Sequence, residues 1–383
     1  MTSKTAKPLG SKIVSWQFLV LLTIFCLSVF FMIKRFMLGL GAVSNMNDGY
    51  PFGIWIAIDV VVGTAFACGG YTMALLVYVA NRGKYHPLVR PALMASVFGY
   101  TLAGVSVVID IGRYWQIYNM FLPQFANPNS VMLEVGLCIA AYTMVLWIEF
   151  SPVFLEKFGA ARAKNFLNKV LFFFIALGVL LPTMHQSSLG TMMVIAGYKL
   201  SPLWQTELLP LLFLLSAISM GYGVVIFEGT IAATEFNTPK ETRILSQVAY
   251  VMDISLAIFL IFRFGDLLNR GVLPLAFNGD LVSNMFLLEN GLLLIAAILL
   301  FSRRLRTTAY GQYIGAVLLL AGASLFRYNT YIIGFDPGTG HRYFPAVGEI
   351  TITLGIISLE LMAYLVFIKT LPVLPIRSKS TTG

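Results

Sequence analysis

51-PFGIWIAIDVVVGTAFACGGYTMALLVYVANRGKYHPLVRPALMASVFGYTLAGVSVVIDIGRYW-115 decides the fold class. It holds two apolar runs, 53–80 and 91–115, separated by a short segment carrying Arg82, Lys84 and Arg90. Each run matches the roughly 20 mostly apolar residues that a helix needs to cross a bilayer. The same pattern continues in both directions, with further runs at 15–34, 130–150, 166–187, 207–229, 246–266, 281–301, 310–333 and 348–370. The expectation is an all-α polytopic membrane bundle of about ten transmembrane helices, forming one integral membrane domain over 1–383.

Composition agrees. Of 383 residues, 58% are hydrophobic and 11% charged, against roughly 25% charged in a soluble domain. No soluble core could cover so much apolar surface. The net charge of +9 does not point to nucleic acid, because the basic residues fall in small groups between apolar runs and work as topology signals. Counted on alternate sides, eighteen Lys and Arg lie with the termini and with 81–90, 152–169, 239–243 and 303–306, and eight lie on the other side. Both termini are therefore expected in the cytoplasm. The run after Lys4, Lys7 and Lys12 is longer than a signal-peptide core and lacks a small-residue cleavage pattern, so it is expected to be retained as the first helix. The tail SKSTTG is expected to be disordered.

Cys26, Cys68 and Cys138 lie inside apolar runs without C-x-x-C spacing, so they read as packing residues and not as ligands of an iron–sulfur cluster or zinc. Gly69-Gly70 likewise reads as close helix packing. The connections are too short for a catalytic domain, so soluble redox chemistry has to come from a partner.

Ionisable groups inside spans are costly and are functional candidates by default. Asp59, Asp110, Arg113, Glu134, His185, Arg263, Asp266, Glu289 and Arg327 fall in outer halves, whereas Glu149, Glu228 and Asp253 lie toward the inner side. Asp110 with Arg113, and Arg263 with Asp266, are three apart and share a helix face, which fits local ion pairs at the interface. Glu134 and His185 have no such local partner and can exchange protons with a ligand. His185 stands in LPTMHQSSLG, where Pro182, Gln186, Ser187 and Ser188 loosen and polarise the helix. Glu228 in VVIFEGT could equally face interfacial water. Membrane haems take axial ligands such as paired histidines. Of three histidines only His185 is intramembrane, His86 and His341 falling in connections. The chain is therefore expected to carry no haem, and electrons are expected to enter and be used on the same, outer side.

At GSKIVS, PFGIWIAIDVVVGTAFACGG, NRGKYHPLVRPALMASVFGYTLAG, VVIDIGRYW, LPTMHQSSLGTMMVIAGYKLSPLWQ, VVIFEGT and IFRFGDLL the chain resembles the NrfD/PsrC-like family of quinone-interacting membrane subunits over nearly its whole length. Within that family it is most similar to the membrane subunits of [NiFe] uptake hydrogenases. The resemblance implies a haem-free, multi-pass subunit of the bacterial inner membrane. Such a subunit takes electrons from a periplasmic iron–sulfur subunit, docked with hydrogenase large and small subunits, and reduces menaquinone or ubiquinone. The positions matching the family's quinone and proton-path residues are Tyr100, Glu134, His185 and Glu228. On this reading His185 and Glu134 border the quinone with Asp110 and Arg113 nearby, while Tyr100, Glu149 and Glu228 lead inward. Polysulfide- and nitrite-reductase subunits share the family. A proton-coupled transporter would also bury acids and histidine, though no paired broken helices stand out, and a passive anchor would need only one helix.

Overall fold

The computed structural model describes residues 6–10, 12–235, 242–338 and 340–374. Ten helices in it are long and apolar enough to cross a membrane: α1 (Trp16–Leu38), α2 (Trp55–Val79), α3 (Gly83–Asp110), α4 (Val131–Lys157), α5 (Ala161–Lys199), α6 (Leu209–Glu235), α7 (Thr242–Asn269), α8 (Leu281–Phe301), α9 (Ala309–Ile333) and α10 (Val347–Thr370). No β-strand occurs among the described residues, which include the isolated bridges Asn47–Tyr50 and Leu200–Phe335. The SKSTTG tail lies outside the described residues.

Local chemistry sets several helix starts. Ser15, Ser130, Asp280 and Thr308 each accept a hydrogen bond from an amide three residues on, at 3.3, 3.3, 2.7 and 3.1 Å, satisfying donors that have no partner within the helix. At α10 Glu349 reaches back to the Ala346 amide at 2.8 Å and to the Asn45 amide at 3.0 Å. Its other oxygen accepts from the Tyr343 hydroxyl at 2.6 Å, and that hydroxyl accepts from the Ile54 amide at 2.9 Å. Burial, reinforced by this bond to Glu349, pushes the Tyr343 phenol above its ordinary range. One carboxylate thus ties together the connections before α2 and α10.

Helices α2, α3 and α6 form the interior, while α1 and α5 keep most of their surface on the rim. Consecutive helices pack as neighbours, α4 on α5, α6 on α7 and α8 on α9. Helix α1 closes against α10, where Ser28 occupies the space that a Cβ at Gly355 would take.

Three features depart from the sequence reading. The fifth helix continues past residue 187 to Ala196 before a final 3-10 turn, because Pro182 is tolerated inside it. His185 is therefore eleven residues, about 16 Å, inside that end, and not at the outer margin. The third span stops at Asp110, with Ile111 already extended, so Arg113 lies beyond it. Helix α2 is irregular, with π-helical turns at Trp55–Val62 and Leu75–Val79 and a break at Ala67 and Cys68. The Gly70 amide at the break is taken up by Ser96 of α3 at 2.8 Å, as dry surroundings demand. Gly69 meets Ala92 and Val225, so the glycine pair packs against α3 and α6 as expected.

Gly190 faces the backbone of Leu209 and Pro210, where an added methyl would approach the Leu209 carbonyl oxygen to 2.5 Å. Gly190→Ala is expected to destabilise the detergent-solubilised chain by about 1–3 kcal/mol, as overpacking against rigid backbone does. Gly291→Ala, which meets open space, should stay within about 0.5 kcal/mol of wild type. Denaturant unfolding of the two variants checks the difference.

Candidate functional site

The structure brings Tyr100 and His185 together. The Tyr100 hydroxyl is 2.6 Å from His185 Nε2, their rings edge to face, and both side chains are fully buried. Around them stand Thr64 and Cys68 of α2, Tyr142 of α4 and Gln186 of α5. The Thr64 hydroxyl donates to the Val60 carbonyl at 2.6 Å, so its oxygen accepts from Gln186 Nε2 at 3.0 Å. That fixes the Gln186 amide with its NH2 toward Tyr100 and His185, at 3.4 and 3.3 Å. Tyr100 Oη and His185 Nε2 share one proton, the donor being set by the imidazole tautomer. His185 Nδ1 and Gln186 Oε1 are buried without a partner among the described residues. Cys68, which reads from sequence as a packing residue, puts its sulfur 3.7 Å from the Tyr100 oxygen.

Tyr100 lies ten residues before the end of α3, about 15 Å in, so the pair sits near mid-membrane. Glu134, in the first turn of α4 and half-buried, accepts from the Ser188 hydroxyl at 2.8 Å. Ser188 is one turn along α5 from His185, so the four groups Tyr100, His185, Ser188 and Glu134 step from mid-helix toward the N-terminal end of α4.

Glu228 is not among them. It lines a separate cavity of about 560 Å³ on the other side of α2 and α3, together with Asp59 and Glu360. Sequence reading missed Glu360 altogether, although an acid in the middle of the apolar run 348–370 was a usable signal. Glu149 is also apart, its Oε1 buried without a partner and packed against Gly178.

Asp110 and Arg113 do not form the expected pair. Arg113 is exposed beyond the end of α3, where helical spacing no longer applies. The cation near Asp110 is Arg35 of α1, which is buried and donates to the Ile109 and Ile111 carbonyls, both at 2.6 Å. Arg263 and Asp266 also find other partners. Arg263 binds Glu289 of α8 at 3.1 Å, and Asp266 binds Arg270 at 2.6 Å. Glu289 is fully buried and accepts further bonds from Trp204 at 3.0 Å, Asn290 at 3.2 Å and Asn329 at 2.7 Å. Arg327 has no carboxylate partner among the described residues. Its guanidinium donates to the carbonyls of Val61 at 2.7 Å and Phe213 at 2.5 Å and to the Ser216 hydroxyl at 3.1 Å, joining α9 to α2 and α6.

Glu289→Leu should cost about 3–5 kcal/mol by leaving the Arg263 charge buried and unpaired, and adding Arg263→Met should recover most of that loss. Unfolding in detergent measures both. A double variant as unstable as the single one would rule out the unpaired charge as the cause.

The comparisons with known proteins fit this geometry. Residues 42–334 match the family model described as polysulphide reductase, NrfD. The chain is 44% identical over 376 residues to an Escherichia coli (strain K12) protein named "Probable Ni/Fe-hydrogenase 2 b-type cytochrome subunit", covering 97% of this chain and 96% of that protein. It is 28% identical over 328 residues to the "Menaquinone reductase, integral membrane subunit" of Nitratidesulfovibrio vulgaris (Hildenborough), covering 76% and 74%.

The first of these names corrects one expectation. A relative this similar is called a b-type cytochrome subunit, which overturns the expected absence of haem. The residues present do not fit a haem held by two facing histidines, since His86 is exposed in the first turn of α3, His341 is exposed in the connection before α10, and His185 Nε2 is engaged by Tyr100. With a family match across most of its length, a near full-length relative at 44% identity and ten membrane-crossing helices, the chain belongs to the NrfD family of membrane proteins.

Proposed function

We propose that the chain is the quinone-reactive membrane subunit of a periplasm-facing hydrogenase in the bacterial inner membrane, with both termini in the cytoplasm. An iron–sulfur subunit docked outside, itself served by hydrogenase large and small subunits, supplies the electrons, and menaquinone or ubiquinone receives them. Quinone takes two electrons and two protons to become quinol, so the membrane subunit has to deliver protons as well as a binding site. The observation carrying this reading is the buried Tyr100–His185 pair at 2.6 Å, a hydroxyl and an imidazole able to pass one proton between them in a site without bulk water. Glu134, joined to His185 through one turn of α5 and Ser188, supplies the outer end of that arrangement.

Hydrogenase and menaquinone-reductase membrane subunits among the relatives support the reaction class. The menaquinone-reductase relative also supports a second reading, in which the same membrane chemistry serves a different periplasmic donor. Protons drawn from the cytoplasm would make turnover electrogenic, and protons drawn from outside would not.

Membranes carrying the complete complex with wild-type chain or His185→Ala test the proposal. Hydrogen-dependent reduction of a quinone analogue is expected to fall roughly a hundredfold or more in the variant, the scale of lost general acid–base catalysis. Hydrogen–viologen activity, which needs only the partner subunits, should persist. Wild-type membranes that reduce quinone with another periplasmic donor and not with hydrogen would replace the hydrogenase reading with the second one.

A further inference from the structure

We infer that Glu360 and Asp59, with Glu228, form a proton-relay cavity along the outer face of the α2–α3 pair, feeding the quinone step from the inner side. This rests on the quinone-subunit reading above and gives its proton path a location.

The cavity exists because small side chains leave it open. Gly63 of α2 and Ala95, Gly99 and Ala103 of α3 line it opposite larger residues of α6 and α10. Its inner end reaches Ala232, three residues before the end of α6, and its outer end reaches Asp59, four residues into α2. It therefore spans most of the membrane depth. Almost all of its wall is apolar, yet it holds three carboxyl groups at three levels. Glu228 is seven residues, about 10 Å, from the inner end of α6, and Glu360 is ten residues, about 15 Å, from the inner end of α10. Asp59 is near the outer end and accepts hydrogen bonds from Ser106 at 3.0 Å and Thr353 at 3.4 Å.

None of the three carboxyls pairs with a cation among the described residues. Glu228 Oε2 is shut off from solvent without a hydrogen-bond partner among the described residues. Glu360 is close enough to both of the others for their charges to interact, and so bridges them. Three permanent negative charges along one dry cavity would repel each other at great cost, so at most some are ionised together. A file in which a carboxylic acid gives its proton to the next carboxylate, directly or through water, meets that constraint and moves a proton without moving the side chains far. No bond other than O–H is made or broken, and no other reactant is needed.

Depth supports the assignment. A Cβ on Gly99 would lie 3.4 Å from Glu360 Oε1, and Gly99 is the neighbour of Tyr100. Glu360 therefore stands at the level of the Tyr100–His185 pair, with the backbone of α3 between them.

Two measurements on the complete complex in membranes test the relay. The apolar reagent dicyclohexylcarbodiimide attacks protonated carboxyls in apolar sites, and peptide mass spectrometry is expected to find it on Glu360 and on Glu228. This readout does not depend on any activity. Glu360→Gln, nearly the same size, is expected to lower hydrogen-driven quinone reduction at least tenfold, and Glu360→Asp to restore at least a third of the wild-type rate, which a purely packing role would not produce. Ala95→Leu, which narrows the cavity without touching a charge, should slow the same step. Failure to label Glu360, or full quinone reduction in Glu360→Gln, would overturn the relay. Wild-type membranes without hydrogen-dependent quinone reduction but with labelled Glu360 would overturn the hydrogenase reading and leave the protonated, reagent-accessible cavity supported.

Discussion

Inside a bilayer a polar group has no water to turn to, and every irregularity in this bundle is shaped by that constraint. Breaking α2 at Ala67 and Cys68 frees backbone groups, and Ser96 of the next helix is placed to take the Gly70 amide. Winding the start of α2 as a π-helix shifts its carbonyls off the usual ladder, and the fully buried Arg327 takes the one at Val61. Arg35 does the same for the last carbonyls of α3. These arginines act as fixed sources of donors that hold helices at angles which apolar packing alone would not specify. Hydrophobic association gives little direction here, since lipid tails are as apolar as leucine.

The same constraint explains what could be read from the sequence. Ten spans were legible because apolar length is a direct consequence of bilayer thickness, and most ends fell within a few residues of the runs. The errors came where polarity and helix were in conflict. HQSS after Pro182 suggested that the fifth helix stops near residue 187, yet its side chains find partners on α2, α3 and α4 and the helix runs on. The apolar residues after Asp110 suggested a longer third helix, but they belong to the connection. Pairing by i,i+3 spacing failed for Arg263 and Asp266 because the preferred partners were a sequence-distant Glu289 and an i+4 Arg270. Spacing can say which side chains share a face, and only the tertiary arrangement says which is desolvated enough to need a partner.

Of the residues singled out from sequence, Tyr100, His185 and Glu134 do converge, whereas Glu228, Asp110 and Arg113 lie elsewhere. The resemblance pointed to Tyr100, Glu134, His185 and Glu228 as parts of one system, and it could not say that Tyr100 and His185 touch or that Glu228 lies in another cavity. That fact needs the depth of α5, which the truncated span concealed. Glu360 was missed for the opposite reason. An acid in the middle of a long apolar run marks a candidate without saying what it faces, and the meaning of Glu360 arises from the cavity it shares with Asp59 and Glu228.

Placing proton and electron traffic on different faces of α2 and α3 is physically useful for a subunit of the proposed kind. Two electrons arriving alone at mid-depth would build negative charge where the effective dielectric is low, and the energy of that charge itself draws protons in. A carboxyl held at the same level, as Glu360 is, can answer it over a short distance. Had they lined the Tyr100–His185 pocket itself, their ionised forms would have opposed the arriving electrons. With α3 between, the acids across the helix can change charge without disturbing the hydrogen-bonded Tyr100–His185 pair and its contact with Gln186. The glycine at position 99 sets the spacing of the two helices that separate the acids from the pair, because a Cβ there would come within 2.5 Å of Ala67 on α2 while meeting Glu360 only at an ordinary contact of 3.4 Å.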